Sequence, residues 1–382
     1  MDFTEHNREQ AEVWRAYHAG TPTRVPMTIA ANERMILLDP ALNPTGISFK
    51  DCYDDPDVMF DVQLRFQHWF RMNMPGDIER GLPEQWNIGV SFQNYYDAAW
   101  FGAEIKFLDH AVPDTTPLLT DDTRHLLFDR GVPDPFGGIM ARGQAYREHF
   151  LARAKHETYE GRPINVGNFY APLGTDGPFT VACNLRGATE FCLDLYEDPD
   201  YAAQLMAFIV EATIARQRAW LEATGQPLER TGLGIADDSI ALLSRDAYRE
   251  LVLPHHQRLL SVMRTPDATV GVHLCGDSTR HFKTIVTELG ASSFDTGFPV
   301  DFAWLRRELG PTVTIQGGPH VDILLHGTPE SVATETRRIL RSGIMDGGKF
   351  IIKEANNLAP CTPMANLETM YAVCRAEGIY VA

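Results

Sequence analysis

The sequence has few cysteines and no long apolar run. Its 382 residues include six scattered cysteines, too few for a disulfide framework in a chain of this size. No uninterrupted apolar stretch reaches the roughly 20 residues of a membrane span. The first residues also lack the basic and apolar regions of a secretory signal. These absences predict a cytoplasmic protein whose cysteines stay reduced and serve metal binding or catalysis where they have a special role.

Positive charge is also scarce. The chain has 34 Lys and Arg against 51 Asp and Glu, which gives a formal net charge of −17 at pH 7. A nucleic acid or an anionic membrane surface attracts proteins through a basic face. The charge therefore argues against both kinds of partner, and we expect a small-molecule substrate.

No Gly-x-Gly-x-x-Gly turn follows the first predicted strand, which weakens a doubly wound open sheet as an interpretation. Strand-like and helix-like runs alternate from residue 162 onward, as expected for parallel strands joined by helical crossovers. The predicted strands are 24–29, 88–92, 164–168, 231–236, 269–274, 293–296, 313–316 and 350–353. About eight such strands in a chain of this length predict an α/β fold, a (β/α)8 TIM barrel.

We expect one barrel domain over residues 1–382. A helical N-terminal extension, ended by Gly20 and Pro22, precedes the first strand. Residues 75–143 differ from the rest because Gly, Pro, Asp and aromatic residues are frequent there. We interpret this segment as an insertion that forms a pocket wall.

Polar residues follow several predicted strands, where the active-site groups of a barrel lie. Asp237 and Asp238 are candidate catalytic residues, as general acid/base or as a carboxylate that orients a ligand. Adjacent strand residues face opposite sides, so we expect only one of the two to point into the pocket. The candidate substrate-binding residues are Asn168, Tyr170, Gln316, His320 and Asn356. For Asp237, Asp238, His320 and Asn356, the alternative role is a helix cap or a tight turn.

The sequence His273-Leu274-Cys275 follows an apolar run and predicts a metal site. Imidazole nitrogen and thiolate sulfur are ligands that zinc prefers. Cys361, near the end of the last predicted strand, is a candidate third ligand. Three protein ligands with an open position are typical of a catalytic zinc. The alternative is that the histidine and the cysteines are ordinary packed residues.

Several ordered motifs resemble the uroporphyrinogen decarboxylase superfamily. They lie at residues 236–244, 273–277, 347–351 and 362–367, with a weaker match at residues 24–26. The resemblance covers the chain well from Arg162 onward and implies a (β/α)8 barrel.

The superfamily contains cofactor-free decarboxylases and zinc-dependent, cobalamin-linked methyltransferases. The basic run that holds substrate carboxylates in the decarboxylases is absent here, apart from Arg34. Resemblance to the methyltransferase branch implies zinc on His273 and Cys275, together with a C-terminal cysteine. Asn356 stands where that cysteine is usual, and Cys361 follows five residues later. Glu354, His320 or an aspartate of the 237–238 pair is an alternative third ligand.

The same resemblance implies methylcobalamin or a related corrinoid as co-substrate. The Asp-x-His-x-x-Gly loop of a corrinoid-binding domain is absent from the sequence, so we expect the corrinoid on a separate partner protein or free. We therefore predict a methyltransferase that moves a methyl group between a corrinoid and a small thiol or a methylated substrate, such as a methoxylated compound.

Two alternatives remain open at this point. One is a cofactor-free decarboxylase of a uroporphyrinogen-like or smaller carboxylic acid, and the other is a non-catalytic binding barrel. The sequence leaves the substrate and the direction of transfer undetermined, and it allows a homodimer.

Overall fold

The computed structural model describes residues 2–262 and 264–380. Its strands are β1 Trp86–Ile88, β2 Ile105–Lys106, β3 Asp114–Thr115, β4 Thr158–Tyr159, β5 Arg162–Val166, β6 Arg230–Ala236, β7 Arg264–Leu274, β8 Ser293–Thr296, β9 Thr314–Gly317 and β10 Phe350–Ile352. The helices of the first half are α1 Thr4–His18, α2 Arg34–Leu37, α3 Phe49–Asp54, α4 Pro56–Asn73, α5 Tyr96–Trp100, α6 Leu126–Arg130, α7 Ile139–Ala154, α8 Pro178–Arg186 and α9 Ala188–Glu197. Those of the second half are α10 Pro199–Ala223, α11 Arg245–Ala247, α12 Leu253–Ser261, α13 Thr279–Thr284, α14 Phe302–Leu309, α15 Val321–His326, α16 Pro329–Leu340 and α17 Met364–Glu377.

Parallel strands form the wall of the barrel. Strands β6 to β10 make one parallel sheet in sequence order, and β1 pairs in parallel with β5. Residues 24–29 lie beside β10, with Thr28 N donating to Ile352 O at 3.0 Å. The loop before α8 bridges to β6 through Asp176, whose backbone pairs with Ala236. This arrangement confirms the predicted (β/α)8 barrel.

Several predicted helix starts agree with the structure because they depend on local signals. The Asp198 side chain accepts a hydrogen bond from Tyr201 N at 3.2 Å, and Pro199 opens α10. Ser244 and Thr328 cap α11 and α16 in the same way. In the described part of the chain, no helix has both the length and the apolar character needed to cross a membrane.

The first barrel segment, residues 24–29, pairs through isolated bridges rather than as a regular strand. On one edge of this segment, a side chain makes the hydrogen bond that a neighbouring strand would otherwise make. The buried carboxylate of Asp77 accepts from Met27 N at 2.8 Å and forms an ion pair with Arg24 at 2.6 Å. Pro26 has no N–H, so it cannot donate a hydrogen bond to a neighbouring strand.

The chain between residues 75 and 143 supplies one barrel strand, β1, and a small antiparallel hairpin, β2 and β3. The strand expected at residues 88–92 lies earlier, since β1 ends at Ile88 and residues 89–92 are not part of a strand. Most of the aromatic side chains of this segment are buried in the hydrophobic core; they include Trp86, Phe92, Tyr95, Trp100 and Phe101.

Candidate active site

Three potential metal ligands lie together where β6 and β7 end. His273 is the second-last residue of β7, Cys275 follows that strand, and Asp238 follows β6. Ligand atoms of all three side chains lie within 4.8 Å of one another. His273 Nε2 is 3.3 Å from Cys275 Sγ and 3.9 Å from Asp238 Oδ1. The residues are partly exposed, so a ligand can reach this metal cluster from solvent.

The orientation of the His273 ring is fixed from the neighbouring strands. Its Nδ1 lies 3.0 Å from Oδ2 of Asp295 on β8, and Lys353 Nζ lies 2.9 Å from Oδ1 of the same carboxylate. Since the carboxylate accepts a hydrogen bond from Nδ1–H, the neutral imidazole has its lone pair on Nε2, which faces the cluster. This carboxylate–histidine arrangement is the usual support of a metal-ligating imidazole.

Electrostatics also suits a cation at the metal cluster. Burial opposes protonation of His273, but the hydrogen bond to Asp295 and the negative charge of Asp238 outweigh it and raise its pKa. Burial, followed by the negative charge of Asp238, raises the pKa of the Cys275 thiol. A bound metal ion reverses this balance because it favours the thiolate and the neutral imidazole. The imidazole, thiol and carboxylate therefore fit a Zn²⁺ ion in chemistry and in spacing.

The two adjacent aspartates point in different directions. Asp238 Oδ1 accepts a hydrogen bond from Cys275 N at 2.6 Å, which holds the carboxylate at the cluster. Asp237 is 1% exposed and faces the protein interior. It accepts from Thr180 N in the first turn of α8 and contacts His256 Nε2, both at 2.7 Å. Asp238 is therefore positioned for chemistry, and Asp237 anchors the start of α8.

A pocket of about 450 Å³ lies beside the metal cluster and includes His273, Asp295 and Gln316 in its wall. This volume is within the range of small-molecule sites. Gly234 and Gly271 face each other across β6 and β7, where the lack of side chains leaves the barrel interior open.

Of the predicted substrate-binding residues, Gln316 is the one that lines this pocket. Asn168 lines a separate cavity of about 280 Å³ with Phe169 and Trp220. Tyr170 is 62% exposed. These two residues follow β5, which pairs with β1 and β4, and neither belongs to the metal cluster or the pocket found beside it among the described residues.

The remaining predicted residues lie after β9 and β10. His320 Nδ1 accepts from Asp322 N at 2.9 Å and so caps α15. Asn356 has a φ of 84°, in the turn after β10. Cys361 is exposed, and its Sγ lies 3.9 Å from Leu38 O. The metal cluster found among the described residues does not include Cys361. Their binding roles stay predictions from the sequence.

Sequence reasoning did not assign roles to three residues of the site. Asp295 is in register with His273 across β7 and β8, and side chains in register on adjacent strands share a face. That pairing is the signal that points to Asp295. Lys353 closes a predicted strand and is 4% exposed. Asp176 lies in a loop, and no sequence pattern distinguishes it.

A family model described as uroporphyrinogen decarboxylase (URO-D) matches residues 173–377, which is more than half of the chain. The chain belongs to this family. The matched region contains the metal cluster and strands β6 to β10, so the resemblance seen in the sequence motifs is confirmed.

Curated relatives include both methyltransferases and decarboxylases. The chain is 32% identical to a methylated-thiol–coenzyme M methyltransferase of Methanosarcina mazei over 215 residues, 54% of this chain and 53% of the relative. It is 24% identical to the methylcobamide:CoM methyltransferase MtbA of the same species over 196 residues, 51% of this chain and 54% of the relative. It is also 24% identical to a uroporphyrinogen decarboxylase of Chlorobaculum tepidum over 186 residues, 48% of this chain and 51% of the relative. The matched part of the chain spans about half the length of these relatives.

A solved structure described as a methyltransferase from Methanosarcina mazei has the same fold. The TM-score is 0.64 at 18% sequence identity, and the match covers 96% of this chain and 98% of the other. The likeness extends to nearly the whole chain and supports the barrel described above. The protein is therefore a divergent family member near the methyltransferase branch.

Proposed function

We propose that the protein is a zinc-dependent methyltransferase that moves a methyl group between a corrinoid and a small thiol or methylated substrate. The observation that carries this proposal is the cluster of His273, Cys275 and Asp238 beside an open pocket of the barrel. Similarity to proteins named as methylated-thiol and methylcobamide methyltransferases supports the same reaction class.

His273 Nε2 and Cys275 Sγ would hold the zinc ion, with Asp238 as the third donor that lies nearest to them. Cys361 remains the sulfur donor expected from the sequence. A bound zinc ion would coordinate a substrate heteroatom at its open position and would lower the pKa of a thiol there.

The protein's own side chains keep the site ready for a ligand. Asp295, paired with Lys353, fixes the tautomer and the orientation of His273. Gly234 and Gly271 leave room beside the metal ligands for the transferred group. Gln316 offers an amide that can both donate and accept a hydrogen bond in the same pocket.

The corrinoid would arrive on another chain or as a free cofactor, because the sequence has no corrinoid-binding loop of its own. We also propose a cytoplasmic setting, in agreement with the scattered cysteines. A cofactor-free decarboxylase is the second candidate, since uroporphyrinogen decarboxylases are among the relatives. However, Arg34, the residue left from the basic run of those enzymes, is bonded to Gln93 Oε1 at 2.5 Å.

Metal content by inductively coupled plasma mass spectrometry tests the zinc proposal. We expect about one zinc per wild-type chain and loss of zinc in His273→Ala and Cys275→Ala. Asp238→Ala and Cys361→Ala identify the third ligand. Cys192→Ala is the matched control, because this partly buried cysteine on α9 is outside the metal cluster. Wild-type protein that contains no zinc and takes up none when it is added would contradict the proposal.

The reaction is tested by the loss of methylcobalamin absorbance when the zinc-loaded protein is mixed with small thiols. The methyltransferase proposal requires that chelation of zinc and Cys275→Ala both abolish this transfer. Decarboxylation that survives both treatments would support the second candidate. The protein would be a binding barrel if it bound ligands without turnover and if His273→Ala changed only its stability.

A further inference from the structure

Asp176 faces the pocket but belongs to no part of the metal cluster. It lines the same cavity as His273 and Gln316. Its backbone is fixed twice, by the bridge to Ala236 on β6 and by its N–H, which donates to Asp97 Oδ2 at 2.9 Å. The loop therefore holds this carboxyl group at a defined place in the pocket wall.

Arg216, a buried cation that holds the loop before Asp176, is already engaged by another carboxylate. Arg216 is fully buried, and its Nη2 lies 2.8 Å from Asp97 Oδ1. The same guanidinium donates to Gly174 O at 2.9 Å and to Pro172 O at 3.2 Å, so it ties down the loop that leads to Asp176. Asp97 thus has a cationic partner, and Asp176 does not share it.

The other carboxylates near Asp176 also have donors. Asp237 is bonded to His256, and Asp238 accepts from the backbone of Cys275. Among the described residues, no donor bonds the Asp176 side chain, and no Lys, Arg or His nitrogen lies within 4.0 Å of it. A carboxylate among carboxylates with no cation is costly, and the group lowers this cost by keeping its proton. Burial first, and then the charges of Asp97, Asp238 and Asp237, raise the pKa of Asp176 well above its ordinary value.

We propose that Asp176 presents a protonated carboxyl to the pocket as a hydrogen-bond donor. It thereby selects thiols or methylated compounds that carry an acceptor oxygen a few atoms from the group that meets the metal cluster. The ligand class is an ether, a carbonyl compound or a similar acceptor rather than a cation. The selection of thiols rests on the proposed zinc site, whereas the proton on Asp176 in the metal-free protein does not.

The proton is tested first, on metal-free protein, by infrared difference spectroscopy. Wild type minus Asp176→Asn at pH 7 is expected to show the carbonyl band of a protonated carboxyl group. Asp200→Asn is the control, because Asp200 is an exposed acidic residue in the first turn of α10. A difference spectrum with the bands of an ionised carboxylate instead would overturn the proposal, whatever the metal content of the protein.

Selection is tested by calorimetric binding of two thiols of the same shape, 2-methoxyethanethiol and butane-1-thiol, to zinc-loaded protein. 2-Methoxyethanethiol has an ether oxygen where butane-1-thiol has a methylene group, and this oxygen accepts but cannot donate a hydrogen bond. We expect Asp176→Ala to lower the ratio of the two affinities about tenfold, the worth of one hydrogen bond. Asp176→Asn, which still donates, should keep the ratio.

An unchanged ratio in Asp176→Ala would overturn the selection. The selection would also be overturned if the wild-type protein bound 2-aminoethanethiol, a cation, more tightly than both probes and the Asp176→Asn variant did not. Failure of the zinc proposal is recognised separately, because it shows in metal content and not in the infrared band.

Discussion

Replacing each aspartate of the 237–238 pair should have opposite consequences for stability and metal binding. Asp237 accepts from Thr180 N and Oγ1 at 2.7 Å and from Phe179 N at 3.2 Å, and it pairs with His256. Removing a buried carboxylate leaves its hydrogen-bond donors without an acceptor, and each such buried donor costs about 1–3 kcal/mol. We therefore expect Asp237→Ala to lower the free energy of unfolding by about 4 kcal/mol, a large part of the roughly 5–15 kcal/mol of a typical domain.

Asp238→Ala should cost about 1 kcal/mol or less, because its side chain is 41% exposed and, among the described residues, only the backbone of Cys275 donates a hydrogen bond to it. The same change should weaken zinc binding, whereas folded Asp237→Ala protein should still bind zinc. Urea unfolding followed by tryptophan fluorescence, together with zinc titration, measures both quantities.

Gly177→Ala provides an independent check on the Asp237 site. Its added methyl group would overlap the Asp237 carboxylate, so this change should also destabilise the protein. The assignment of Asp237 as an anchor of α8 is refuted if Asp237→Ala unfolds at the wild-type urea concentration. It is equally refuted if Asp238→Ala is the less stable of the two variants.

Two further predictions concern buried ionisable side chains outside the metal cluster. Burial lowers the pKa of His281 to about 4 from 6.5, so the unfolded chain takes the proton first. The free energy of unfolding should then fall by about 3 kcal/mol between pH 6.5 and 4, and urea titrations of His281→Gln should lack this fall. Arg216→Met should cost about 3–5 kcal/mol in urea unfolding because it strands Asp97 without a cation, and adding Asp97→Leu should restore much of the loss.

The sequence predicts those parts of the fold that depend on local signals. Asp198 with Pro199, and Thr328 with Pro329, place helix starts because caps and first-turn prolines act within a few residues. The strand that carries His273 is recognisable because a short apolar run ends there. The irregular pairing of residues 24–29 is not predictable, since it depends on Asp77, a residue some fifty positions later.

The candidate site shows the same division. Alternation along a strand predicts that one aspartate of the 237–238 pair faces the pocket, but the choice between them depends on the register of β6 against β7. The support of His273 by Asp295 also depends on register, because the two residues become neighbours only when β7 and β8 pair. The role of Asp176 can be inferred only from the folded chain, because it depends on which hydrogen-bond donors and cations lie near the side chain.

Strand order also explains which third donor lies near His273 and Cys275. Asp238 follows β6, the immediate neighbour of β7, and the bond from Cys275 N to Asp238 Oδ1 continues the pairing of these strands beyond their ends. Cys361 follows β10, which is three strands further along the same sheet. Neighbouring strands lie about 4.8 Å apart, so a sulfur from that turn has to cross the barrel mouth, whereas the carboxylate is held in place by the sheet itself. A carboxylate in place of a second thiolate leaves the total charge of the ligands unchanged. Because oxygen is a harder donor than sulfur, it leaves more positive charge on a bound zinc.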